Sequence, residues 1–242
     1  MKQFSLALLT IIFLMSCRNK SSSNSLAVKD KNQKLNYQQW KEEAKTEIRL
    51  LPEYGHAVKS TEQKQADLNL IEAYTKQEGS RLKGSEVLVK LGFDYISKGD
   101  LRTAMYRFNQ AWLLDPKNEN VYWGFASIYF TFKDYQTSML QLDNALAINP
   151  RNANILTDKA TIFSTLYYKS NDATTLLRAK EFFTQAYKID PRNKNMLFKF
   201  SAFYFDQNDC QNALKYYKEY TALGGEPISK EYASALTNRC KE

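Results

Sequence analysis

The residues able to do chemistry are few in this 242-residue chain: one histidine, His56, three cysteines (Cys17, Cys210 and Cys240), and carboxylates that stand mostly beside lysines, as in 41-KEEAKTE-47. A general base needs an imidazole or carboxylate whose pKa is displaced by apolar surroundings. Carboxylates interleaved with lysines are solvated helix faces instead. The sequence has no glycine-rich phosphate loop, no Gly-x-Ser-x-Gly turn, no His-Glu-x-x-His pair and no paired-cysteine metal spacing. His56 reads as a surface-loop residue. An enzyme is therefore not expected, nor is a metal, a cofactor or a small-molecule substrate.

Charge gives little more. The formal net charge is +8, but cations such as Lys117, Arg151, Lys169, Arg192 and Lys230 are spread through loops and polar faces. Nucleic-acid binding needs a dense basic patch interleaved with aromatics, so nucleic acid is not an expected partner. With 43% apolar and 25% charged residues, the chain can bury a core; eight glycines and five prolines are too few for an all-β fold. Long helices with short turns are expected.

The first residues differ from the rest. Lys2 precedes the apolar run 4-FSLALLTIIFL-14, too short to span a bilayer, and 14-LMSC-17 follows. This resembles a bacterial lipoprotein signal, with residues 1–16 removed and Cys17 lipidated. The resemblance implies an anchor that sits on a membrane without crossing it, since two or three acyl chains bind stably where one does not. Arg18 in place of an aspartate favours the outer membrane, and the absence of an acid in 18-RNKSSSNSLAVK-29 favours its periplasmic face. Residues 17–34, rich in Ser, Asn and Lys, read as a flexible tether.

The architecture lies in a repeat. The stretches 111-AWLLDPKNENVYWG-124, 145-ALAINPRNANILTD-158 and 186-AYKIDPRNKNMLFK-199 echo one another; Pro116 and Pro150 are 34 residues apart, and Pro150 and Pro191 are 41 apart. In residues 85–118, Leu88, Leu91, Gly92 and Tyr95 recur at helical spacing, followed by Ala104, Phe108, Ala111 and the stop at Pro116. This unit resembles a tetratricopeptide repeat, a helical hairpin of 34 residues. Further units follow at 119–152, 153–193 and 194–227, the last with Tyr220 and Gly225 where the pattern prefers Ala and Pro. The resemblance implies an all-α, right-handed superhelical solenoid of stacked hairpins. Residues 228–242 read as a capping helix on the last repeat, and residues 35–84 as a helical hairpin stacked on the first. The Asn-x-Asn after each proline suits a helix N-cap.

In such a solenoid the first helix of each pair lines a concave wall, and a residue one position after a core residue turns onto that wall. This selects Val89, Phe93 and Ile96; Trp123 and Phe130; Thr157, Thr161 and Ser164; and Phe198 and Phe205. An aromatic, nearly uncharged groove is expected. Relatives that grip acidic chaperone tails carry lysine and asparagine where this chain has Val89, Phe93, Trp123 and Ser127, so that clamp is absent. The expected function is a membrane-anchored scaffold or adaptor, binding an apolar segment of an envelope protein with Trp123 as anchor. The alternative is a structural or envelope-polymer-binding lipoprotein that uses its basic surface.

Two local features complete the reading. The seven extra residues of the third unit lie in 166-LYYKSNDATTLL-177, and two added helical turns predict a projecting hairpin capped by Asp172. With Cys17 lipidated, two cysteines remain, and a reversal at Gly224-Gly225-Glu226-Pro227 brings Cys210 and Cys240 to the same end of an antiparallel pair. A disulfide between them is expected.

Overall fold

The structure, a computed structural model, describes residues 36–225 and 230–240. The signal at 1–16, Cys17, the tether, and Glu226 and Pro227 lie outside the described residues. Among the described residues there are eleven α-helices and no strand.

Four helix pairs follow the repeat: α3 (Arg81–Ser97) with α4 (Leu101–Leu114), α5 (Glu119–Thr131) with α6 (Tyr135–Ile148), α7 (Ala153–Ser170) with α8 (Ala173–Ile189), and α9 (Lys194–Asp206) with α10 (Cys210–Ala222). Within every pair a residue of left-handed backbone precedes an aspartate: Gly99 (φ 76°), Lys133 (62°), Asn171 (53°) and Asn208 (57°). The aspartates Asp100, Asp134, Asp172 and Asp209 then accept the orphan N–H groups that open the second helix.

Between pairs, Asn118, Asn152 and Asn193 cap the first helix of the next repeat. Their amides also reach the preceding unit. Asn118 donates to Ser85 Oγ at 2.9 Å, Asn152 to Glu119 at 3.3 Å and Asn193 to Asn154 Oδ1 at 2.7 Å. One side chain thus ends a loop and ties two repeats together.

Small residues set the packing distance. The fully buried Phe108 ring fills the space between Gly92 and Gly124, and a Cβ on either glycine would overlap it. The interior has two apolar clusters that share α7, with Ile155 and Ile162 facing the earlier repeats and Leu156 and Ala160 the later ones. The third pair is long, α7 having 18 residues and α8 17, against 13 and 14 in the second pair. Its two-residue turn is Asn171-Asp172; Tyr168 and Leu177 near the tip are exposed.

The N-terminal segment differs from the expected hairpin. Helix α1 (Tyr37–Ala44) is short, and two 3-10 turns at Ile48–Leu50 and Pro52–His56 separate it from α2 (Thr61–Glu78). Residues 37–56 form a strap along α4. Glu43 pairs with Arg102, the Arg49 guanidinium lies 4.5 Å from the Tyr106 ring, and Asn109 holds the Arg49 and Leu51 carbonyls and the Tyr54 N–H. His56 packs edge-on to Trp112. The physical reason is the placing of bulk: Trp40, Leu50 and Tyr54 are buried, and no single helix face carries all three once Pro52 interrupts it. Helix α2 alone packs on α3, in the place a preceding second helix would hold.

At the other end, α11 (Lys230–Arg239) packs on α10, and Cys240 is disulfide-bonded to Cys210 with Cα atoms 5.2 Å apart. Leu236 and Cys240 are buried beneath it.

Candidate binding groove

The first helices α3, α5, α7 and α9 line one wall, and a cavity of about 320 Å³ opens on it. Ile96, Trp123, Phe130, Thr161 and Ile162 are among its lining residues. Phe93 stands behind, its ring centroid 5.0 Å from that of Trp123 and 5.2 Å from that of Phe108. Phe130 is 39% exposed at the rim, backed by Tyr135 at 5.7 Å. Of the residues selected from sequence, Ile96, Trp123, Phe130 and Thr161 come together here, with Phe93 in support.

The others are placed differently. Val89, Thr157 and Phe205 are buried, Thr157 completely, and leave little surface for a ligand. Phe198 is half-buried between Tyr220 and Tyr232, at 5.7 and 5.3 Å. Tyr232 of α11 also covers Phe205 at 5.4 Å and shares a hydrogen bond of 2.6 Å with Ser201. Burial pushes the Tyr232 hydroxyl up to about 12, against the lowering effect of that bond. The capping helix therefore occupies the groove where α9 lines it, so the accessible part centres on the second and third repeats.

Charge enters where none was expected. Asp158 accepts the Trp123 indole N–H at 2.7 Å and the Lys199 ammonium at 2.7 Å, linking three repeats. Both residues lie two positions after a core leucine, Leu156 and Leu197. Gly124, two positions after Tyr122, likewise faces the preceding repeat through Phe108. That position points backward along the solenoid, and counting two past the core leucine, rather than one, would have found the pair.

The hydroxyls on the wall have a definite polarity. Ser127 donates to the Trp123 carbonyl at 2.8 Å, Thr131 to that of Ser127 at 2.9 Å, and Thr161 to that of Thr157 at 2.8 Å. Their protons being committed to their own helix, the oxygens face outward as acceptors. The groove thus offers an aromatic floor, acceptor oxygens and one neutralised ion pair. Among the described residues no group of three or more His, Cys, Asp or Glu side chains could hold a metal ion, and no helix is long and apolar enough to cross a membrane.

No protein-family model matches the sequence, and no curated protein matches it. Solved structures do. TTC0263, a thermophilic TPR protein of Thermus thermophilus, is 18% identical over 64% of this chain and 80% of that one, with a TM-score of 0.55. MamA is 19% identical over 74% of this chain and 99% of that one, with a TM-score of 0.44. PilF of Pseudomonas aeruginosa is 16% identical over 65% and 85%, with a TM-score of 0.35. The likeness to TTC0263 shows the fold: the chain is a helical solenoid of the tetratricopeptide type.

Proposed function

We propose that this protein is a non-catalytic adaptor, held by a lipid on Cys17 to the periplasmic face of the outer membrane, that binds an apolar segment of another envelope protein in its concave groove. The observation that carries the reading is the open cavity walled by Ile96, Trp123 and Phe130, with Trp123 fixed in place by Asp158. An aromatic side chain locked by a hydrogen bond loses little entropy when a partner docks, which is what a binding anchor requires. The solenoid-type fold supports the scaffold part of the proposal, and the leader sequence supports the anchor.

Crosslinked pull-down from cell envelopes tests it, comparing the native chain with Trp123→Ala and with the rim variant Phe130→Asp. Loss of the same partner from both variants, with capture by the native chain unchanged at high salt, is the expected result. Capture that survives both substitutions overturns the groove; capture lost at high salt instead favours the basic surface. Radiolabelled palmitate entering the native chain but not Cys17→Ala checks the anchor.

A further inference from the structure

At the crossing of their two helices, the second and fourth repeats carry a hydroxyl that the first and third lack. Ser138 of α6 stands where α4, α8 and α10 have Ala104, Ala179 and Ala213, and Ser201 of α9 stands where α3, α5 and α7 have Gly92, Ala126 and Ala160. The two positions face each other across a helix pair. Ser138 Oγ donates to the Ala126 carbonyl at 2.8 Å, and Ser201 Oγ to the Ala213 carbonyl at 2.7 Å. Each of these repeats thus buries one serine whose proton is committed to the backbone and whose oxygen is left as an acceptor.

In the fourth repeat that acceptor is used. The Tyr232 hydroxyl of α11 lies 2.6 Å from Ser201 Oγ, and with the serine proton on Ala213 the phenol is the donor. Its ring meets Phe198, Phe205 and Tyr217 edge-on, with centroids 5.3, 5.4 and 5.9 Å away. By repeat position, the counterparts of these three rings in the second repeat are Trp123, Phe130 and Leu142, and those of Ser201 and Ala213 are Ala126 and Ser138. All five line the open cavity. Helix α7 follows α6 as α11 follows α10, but it brings Asp158 and Thr161 to this space rather than a ring. Where α3 packs along α5 and α7 along α9, α5 and α7 stand apart with the cavity between them.

We propose that the cavity is a slot for a tyrosine side chain of the partner, which enters from the concave side, sets its ring against Trp123, Phe130 and Leu142, and donates its hydroxyl to Ser138 Oγ. The proposal rests on the groove reading above and names the side chain that the partner's apolar segment must carry. The chain itself supplies the pattern, since Tyr232 fills the corresponding slot of the fourth repeat. A phenylalanine ring would take the same space but leave the serine oxygen without that donor, so the hydroxyl sets the preference.

The test titrates the purified full chain with N-acetyltyrosinamide and N-acetylphenylalaninamide, following the indole N–H resonance of Trp123. Ser138→Ala installs the alanine that the other three repeats carry, so the variant keeps the fold. Tighter binding of the tyrosine derivative by the native chain is expected, weakened about 3- to 10-fold by Ser138→Ala, with the phenylalanine derivative unaffected. Equal binding of the two by the native chain, equal weakening of both by the substitution, or no shift of the Trp123 resonance overturns the proposal. The partner reading is judged separately. If Trp123→Ala abolishes partner capture while the tyrosine derivative ignores Ser138, the groove stands and its tyrosine preference falls. If the derivative depends on Ser138 and capture survives Trp123→Ala, the slot stands and the envelope partner falls.

Discussion

The indole N–H of Trp123 and the carboxylate of Asp158, from consecutive repeats, are joined at 2.7 Å, and the second oxygen of that carboxylate receives Lys199 from the repeat beyond. Such a chain of bonds is a coupling between repeats, and coupling can be measured. Asp158→Ala should cost about 1 kcal/mol, a modest figure because Asp158 and Lys199 are both partly exposed. In a chain of this size that lowers Tm by about 2–4 °C. The double variant Asp158→Ala/Lys199→Ala should be no less stable than Asp158→Ala alone; additive losses in thermal melts would mean that the two side chains act independently.

Gly124 faces the ring of Phe108, so Gly124→Ala forces a methyl group into filled space. Overpacking of this kind costs about 1–3 kcal/mol. Denaturant titration should show that loss, and Phe108→Leu in the same chain should recover part of it, although the leucine variant alone is destabilised.

Lys133 holds a left-handed backbone at φ 62°, where the equivalent turn of the first repeat has Gly99. A side chain there costs about 1–2 kcal/mol, part of which glycine loses again to unfolded-chain entropy. Lys133→Gly should therefore stabilise the protein by about 0.5–1 kcal/mol. A lower Tm for this variant would show that the lysine side chain makes a compensating contact.

The bond between Tyr37 and Asp134 should make the strap sensitive to pH at both extremes. Burial, then the hydrogen bond to Asp134, raise the Tyr37 hydroxyl above its ordinary 10.0. Burial works against Asp134, but the bonds from Tyr37 and Thr137 hold it below its ordinary 3.8. The aspartate contribution is present above that ordinary value and is lost as pH falls through the lowered one. The tyrosine contribution is complete below pH 10.0 and declines as pH rises toward the raised value. Stability should thus be flat between about pH 5 and 9 as far as this pair is concerned. Tyr37→Phe should soften both edges in amide exchange of α1; unchanged edges would assign them to other groups.

Reduction of the Cys210–Cys240 bridge should loosen α11 selectively. The two cysteines are 30 residues apart, and the chain-entropy model assigns roughly 3–4 kcal/mol to closing such a loop. In the Cys210→Ser/Cys240→Ser variant, α11 should exchange its amides faster and Phe198 should become more accessible, while α3 to α6 keep their protection. Uniform loss of protection would mean that the solenoid unfolds as one unit.

The repeats were legible because their code is local. Leu88, Gly92, Phe108 and Pro116 recur in one register, each kept by the neighbour it packs on, and the seven-residue insertion preserves helical phase, so both faces continue. The cysteine pairing was legible because the reversal in the last repeat fixes which end each residue reaches. The strap was not. Trp40, Leu50 and Tyr54 have apolar character without period, and only the surface of α4 says where they go. Within the groove, one rule about the residue after each core position found Trp123 and Phe130. It also selected Phe205, which α11 covers, and it passed over Asp158, whose role depends on a neighbour 35 residues away.

The strap has a mechanical meaning. Its contacts follow α4 in the same order as the helix itself, from Arg102 through Tyr106 and Asn109 to Trp112. Tension entering at Asn36 along the α4 axis would load all of these contacts together, in shear. The same tension applied outward would peel them singly, beginning at Tyr37. The strap is thus a fastening with a strong and a weak direction, and the angle of a load applied at Asn36 would decide which of the two is used.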